Sequence, residues 1–158
     1  MVYIYGGDAA KNNIIKTVYN ATLVNFRLDD VFSVELSFVD EETMRELNYE
    51  AREVNRATDV LSFPYLDIKF PIDIIDYPND IDPDTGKVML GEIMLCYPII
   101  EAQSKEYNTS IFREFAYMTV HGLLHLLGFD HMQDEDKKLM RKKEEEILTA
   151  IGYGEKDF

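Results

Sequence analysis

Cysteine is almost missing: Cys96 stands alone among 158 residues. An internal disulfide framework and a sulfur-rich zinc finger each need several thiols, so both are excluded and a reduced, cytoplasmic setting is expected. Cations are scarce as well, with 16 Lys and Arg against 30 Asp and Glu for a net charge of −14. Generic adhesion to nucleic acid or to an anionic membrane is therefore disfavoured, and any nucleic-acid role must be local. Nowhere do about 18 apolar residues follow one another without charge. The apolar start Val2 to Tyr5 is short and lacks a basic lead, so neither membrane spanning nor secretion is expected. Glycine and proline number only eight and five while hydrophobic residues make up 46 %, which argues against disorder and for a packed core. With no repeat and no linker, residues 1–158 are expected to form a single domain.

What is present reads as α+β. Val2 to Tyr5 predicts an edge strand, and Ile14, Ile15, Val18 and Leu23 recur at helical spacing over roughly 9 to 25. The segment 31–38 alternates, with Phe32, Val34, Leu36 and Phe38 on one side and Ser33, Glu35 and Ser37 on the other, as a half-buried strand does. Asp40 is placed to cap a helix ending near Ala51, with Met44 and Leu47 facing the core. TDVLSFP and VMLGEIMLCY are strand candidates stopped by Pro64 and Pro98. Between them, residues 65–87 hold six Asp against two Lys and are expected to form an acidic surface loop over a cleft. Within it, Ile72, Ile74 and Ile75 are a possible short strand, and Pro-Asp-Thr-Gly supplies a turn. From Pro98 the pattern is helical: about 98–107, then 111–127 behind Ser110 as a cap, then 134–151. A small, mostly parallel or mixed sheet with an antiparallel edge strand, packed against about five helices, is the expected architecture.

Histidine is as scarce as the other rare residues, with three in the chain, yet all three fall within eleven positions: His121, His125 and His131. Ile111, Phe112, Phe115, Met118 and Val120 precede them in helical register, so the helix is expected to be deeply buried. Residues four apart rise about 6 Å and share a helix face, so His121 and His125 can point at one ion. Gly128 can take a left-handed conformation and turn the chain back, bringing His131 to the same point. Three imidazoles with a fourth position left open form the arrangement of a catalytic zinc centre, although three histidines also suit nickel, cobalt or copper. The spacing matches the metzincin pattern His-Glu-x-x-His-x-x-Gly-x-x-His except that Gly122 replaces the glutamate. Loss of that general base argues against peptide hydrolysis while leaving the metal cage intact.

The run His121 to His131, together with Leu47-Asn48, Arg52, Thr58 to Pro64 and Leu90-Gly91-Glu92-Ile93, resembles the YbeY family over residues 31 to 151. These are bacterial metallo-endoribonucleases of ribosomal RNA maturation. The resemblance implies one Zn²⁺ per chain held by His121, His125 and His131. It also implies hydrolysis of single-stranded RNA, used in 3′-end maturation of 16S ribosomal RNA precursors and in ribosome quality control. Expected partners are a single-stranded rRNA precursor and the small ribosomal subunit with its assembly factors, and neither DNA nor a membrane. The chain departs from the family pattern at Ala51, Asn55 and Ala57 around the arginine.

Arg52 is the first catalytic candidate after the ligands, because a guanidinium can pair two oxygens of a charged phosphorane at once. Asp130 is the second, placed to orient an imidazole or accept a proton; its alternative is a turn residue after Gly128. Thr58 and Asp59 are expected to fix the start of a strand. Ser62 has no further histidine to serve as its base, so a serine hydrolase is rejected, and Cys96 is expected to be a small core residue. Lys137, Lys138, Arg141, Lys142 and Lys143 form the densest cationic run available to a phosphate backbone, beside the acidic Glu144 to Glu146. The rival reading from another class is a non-catalytic zinc-containing assembly factor that binds rRNA. A metzincin-like peptidase is the third, and a casein assay decides it: no cleavage is expected, and metal-dependent casein hydrolysis would restore that reading.

Overall fold

Asp8 and Asp40 open the first two helices in the same way. Each sits in extended backbone and accepts the amide N–H three residues on, Lys11 at 2.9 Å and Thr43 at 2.8 Å, satisfying a donor that has no partner inside the helix. These amide bonds hold both carboxyls below their ordinary pKa. The structure is a computed structural model that describes residues 1–68, 78–130 and 132–154. The expectations for Ile72, Ile74, Ile75 and His131 lie outside the described residues.

The elements run β1 (Val2–Tyr5), α1 (Ala9–Asn25), β2 (Phe32–Phe38), α2 (Glu41–Arg52), β3 (Val60–Pro64), β4 (Val88–Leu95), α3 (Tyr97–Glu106), α4 (Ile111–Leu126) and α5 (Asp134–Ala150). The sheet order is β1-β2-β4-β3. The first three neighbours are parallel, and β3 pairs antiparallel with β4 at the edge, Ser62 opposite Ile93. This is the mixed α+β sheet with an antiparallel edge strand that the pattern predicts, with its five helices. Among the described residues, no helix is long and apolar enough to cross a membrane.

α4 is the centre of the packing. Phe115, Ala116, Val120, Leu124 and Leu126 are fully buried between the sheet and helices α1, α3 and α5. Each such large side chain contributes about 1.5–3 kcal/mol relative to exposure. Phe115 stacks on Phe38 of β2 at 5.7 Å between ring centroids and meets Tyr97 of α3 edge-on at 6.2 Å. The faces left on α4 are narrow, and Tyr117, His121 and His125, spaced four apart, form one half-buried stripe. Phe112 departs from expectation: at 42 % exposure it lies on the outer side of the first turn. Ser110 occupies the capping position of α4, but its side chain makes no capping hydrogen bond. Ser33 is likewise buried rather than solvent-facing, and its hydroxyl donates to the Met89 sulfur of β4.

The end of α4 is set by Gly128. Its φ is +94°, and the flanking bonds run from the Phe129 amide to the Leu124 carbonyl (2.9 Å) and from the Gly128 amide to the His125 carbonyl (3.1 Å). That pair of bonds is a Schellman motif, which needs a left-handed residue at the position Gly128 holds. The chain following β3 crosses this turn closely, and a Cβ on Gly128 would run into the Ile68 carbonyl oxygen. In the acidic stretch, the Pro-Asp-Thr-Gly turn is closed by Gly86 N–H to the Asp82 carbonyl (2.7 Å) and returns the chain to β4 through an Ile81–Val88 bridge.

Gly128→Ala is therefore expected to destabilise the fold by about 2–4 kcal/mol. For a chain of this length that lowers the melting temperature by about 5–15 °C. Thermal denaturation checks it, and a variant melting with the native chain would contradict this reading of the turn.

Candidate metal centre

His121 and His125 of this stripe face a cavity of about 480 Å³ between β3, the end of α4 and the segment that follows α2. His121 and His125 form one wall, with Asp130 and Met132 beside them. Val60, Ser62 and Pro64 of β3 form the opposite wall, and Arg52, Thr58 and Asp59 close the rim.

The two imidazoles are aimed by different groups. His125 Nδ1 lies 3.0 Å from the Phe129 carbonyl oxygen. A carbonyl only accepts, so Nδ1 carries the proton and Nε2 carries the lone pair of the neutral ring. The Schellman turn thus delivers the oxygen that fixes this ring. His121 Nδ1 lies 3.3 Å from Glu144 Oε2 on α5, and its ring stacks on Tyr117 at 5.9 Å. The two Nε2 atoms meet 3.1 Å apart. Two nitrogens bound at 2.0–2.1 Å to one tetrahedral ion are separated by about 3.3 Å, so the two described donors fit a shared cation. Among the described residues no group of three such ligands is assembled, and the expected third, His131, lies outside them.

Gly122, where a metzincin has its glutamate, sits in a close contact between helix and sheet. A Cβ at this position would stand 3.1 Å from Ile93 of β4 and 3.3 Å from the Ser62 hydroxyl. α4 rests directly on β3 and β4 here, and Ser62 donates to the Gly122 carbonyl at 3.4 Å. Ser62 is a staple between strand and helix, in keeping with the rejection of a serine hydrolase.

Arg52 ends α2, and the following residue, Glu53, takes a left-handed conformation with φ +58°. The segment beyond is tied down by Asn48 Nδ2 donating to the Arg56 carbonyl (2.9 Å) and Arg45 donating to Asn55 (2.9 Å). Both Arg52 and Arg56 are exposed, but only Arg52 is among the described residues lining the histidines' cavity. The Asp59 carboxylate accepts from the Val60 amide (2.7 Å) and the Thr58 hydroxyl (3.2 Å), the strand-starting role expected of this pair. Asp130 lines the cavity beside the two histidines. Cys96 is fully buried beside Met44 and Leu61, and burial raises its thiol pKa.

Glu144 escapes a reading of the sequence because it sits in a run of charges. The signal was present: Met140, Glu144, Ile147 and Leu148 recur at helical spacing and are all buried, so a carboxylate occupies an apolar stripe. Tyr117 lies beside it, and burial, followed by the Glu144 charge, raises the phenol pKa. Within the cationic run, Lys143 bonds Glu146 (3.2 Å) and Asn25 (3.4 Å).

A profile of the family described as Endoribonuclease YbeY matches residues 7–152. An Endoribonuclease YbeY of Clostridium acetobutylicum is 47 % identical over 147 residues, covering 90 % of this chain and 89 % of that protein. One of Clostridium botulinum is 50 % identical over 123 residues, covering 75 % of this chain and 74 % of its own. The solution structure of a Thermotoga maritima protein is similar in fold, with a TM-score of 0.58, 26 % identity and coverage of 99 % of this chain and 97 % of that one.

Gly122→Glu tests the steric account. The added side chain has to displace Ile93 and Ser62, so the variant is expected to melt at a lower temperature and to gain no casein hydrolysis. A stable variant with new peptidase activity would show that the position accepts a general base.

Proposed function

Because the chain belongs to the YbeY endoribonuclease family, we propose that it is a zinc-dependent endoribonuclease that cuts single-stranded RNA. On this reading it acts in the 3′-end maturation of small-subunit ribosomal RNA and in ribosome quality control. The observation that carries the reading is the convergence of His121 Nε2 and His125 Nε2 at 3.1 Å in a cavity whose rim holds Arg52. His121, His125 and His131 would hold the ion. When bound, it supplies Lewis acidity that makes water a competent nucleophile near neutral pH.

The chain's own groups supply the rest. Arg52 binds the scissile phosphate, pairing two of its oxygens and offsetting the charge that builds up as the phosphorus becomes pentacoordinate. The Phe129 carbonyl keeps the His125 proton on Nδ1, away from the cavity. Asp130, on the cavity wall, is placed to take a proton from the attacking water. Gly122 leaves the helix without a carboxylate at the position a metzincin peptidase uses, which is consistent with a phosphodiester rather than a peptide substrate. The acidic body, at −14 overall, opposes tight binding of RNA in general and favours cleavage where the substrate is delivered, as on a small ribosomal subunit with its assembly factors.

Arg52→Ala is expected to keep its metal and its fold while losing about 10²-fold or more in cleavage rate on a single-stranded RNA oligonucleotide. Chelation and His125→Ala are expected to abolish cleavage. Cleavage that survives both treatments would remove the enzyme reading and leave a non-catalytic RNA-binding role.

A further inference from the structure

Glu144 is only 4 % exposed, on the buried face of α5 between Met140 and Leu148. A carboxylate removed from water is costly unless a donor replaces the lost hydration. The donor it faces is His121 Nδ1, at 3.3 Å. On its other side stands Tyr117, whose ring also stacks on His121. Two residues, Glu144 of α5 and Tyr117 of α4, therefore converge on one imidazole.

We infer that Glu144 is a positioning residue: it accepts the Nδ1 proton of His121, so fixing Nε2 as the unprotonated nitrogen that faces His125, while Tyr117 braces the carboxylate. A neutral imidazole has one proton to place. With Nδ1–H committed to Glu144 on one ring and to the Phe129 carbonyl on the other, both rings present lone pairs to the same point. Two lone pairs 3.1 Å apart repel each other unless a cation or a proton lies between them. Without Glu144, the His121 proton moves to Nε2 and donates to His125, and the pair closes into a histidine–histidine hydrogen bond that competes with an ion. The two holds differ in strength. His125 is oriented by a neutral carbonyl, whereas His121 is oriented by a carboxylate, the stronger acceptor of the two. His121 is thus the ligand whose quality the fold controls from α5.

The inference rests on the metal-centre reading, and its test separates the two. Long-range proton–nitrogen NMR of the metal-free full chain at a pH where imidazole is neutral reads the tautomer directly. The native chain is expected to show His121 protonated at Nδ1, and Glu144→Leu to shift it toward Nε2. Zinc affinity, measured by competition with a chromophoric chelator, is expected to fall about 10–100-fold in Glu144→Leu. In Glu144→Gln, whose amide oxygen still accepts, the tautomer is kept and the affinity falls less. An unchanged tautomer together with zinc affinity within twofold of the native chain overturns the role. If Glu144→Leu does not fold, the charge-dependent part is decided on Glu144→Gln, where unchanged zinc affinity overturns it. A native chain that binds no zinc but shows the tautomer shift keeps the positioning role and defeats the metal reading alone.

Discussion

Everything at the cavity depends on how α4 ends. The bond from the Phe129 amide to the Leu124 carbonyl closes a turn that requires a left-handed residue, and Gly128 provides it at φ +94°. Two consequences follow from that one turn. The chain is sent back over the histidine face instead of onward, and the Phe129 carbonyl is left beside His125 Nδ1. A fold-level device, the helix stop, therefore also sets the protonation of a candidate ligand. The close crossing of Ile68 over Gly128 makes the turn intolerant of any side chain, which links the segment after β3 to the same geometry.

The remaining constraint is burial. α4 passes through the centre of the protein, where a helix of ordinary amphipathicity would expose half its surface. It is instead apolar on nearly every side, and its polar groups are individually satisfied. Thr119 donates to the Phe115 carbonyl, and Glu114 accepts from Thr109 and stands within 3.7 Å of Arg113. The half-buried Tyr117, His121 and His125 stripe is held between Glu144 on one side and the cavity on the other. The Nδ1 contacts with Glu144 and with the Phe129 carbonyl keep the imidazoles from rotating away, which lets two side chains on a helix act as a fixed pair.

Features encoded by a few adjacent residues were legible in the sequence. Asp40 marks a helix start because a cap is a matter of three residues, and Gly128 marks a stop for the same reason. The alternation of residues 31–38 gives β2, and the spacing of His121 and His125 gives one face. What depends on distant partners was not legible. Glu144 reads as one charge among many until α5 is laid against α4 and its neighbours on the helix prove buried. Phe112 shares the apolar register of α4, yet it is left exposed on the outer side of the first turn. Ser33 alternates outward in sequence, and only the pairing of β2 with β4 puts Met89 over it. Gly122 is conspicuous as a missing glutamate, but its steric reason, contact with Ile93 and Ser62, is a property of the assembled sheet and helix.

The central claim is that His121 and His125 share one metal ion through their Nε2 atoms. X-ray absorption at the zinc edge of the zinc-loaded chain tests it most directly. The account predicts a first shell of imidazole nitrogens at about 2.0–2.1 Å, with its outer-shell imidazole scattering diminished in His125→Ala. A spectrum lacking imidazole scattering, or one identical in the native chain and in His125→Ala, would contradict it.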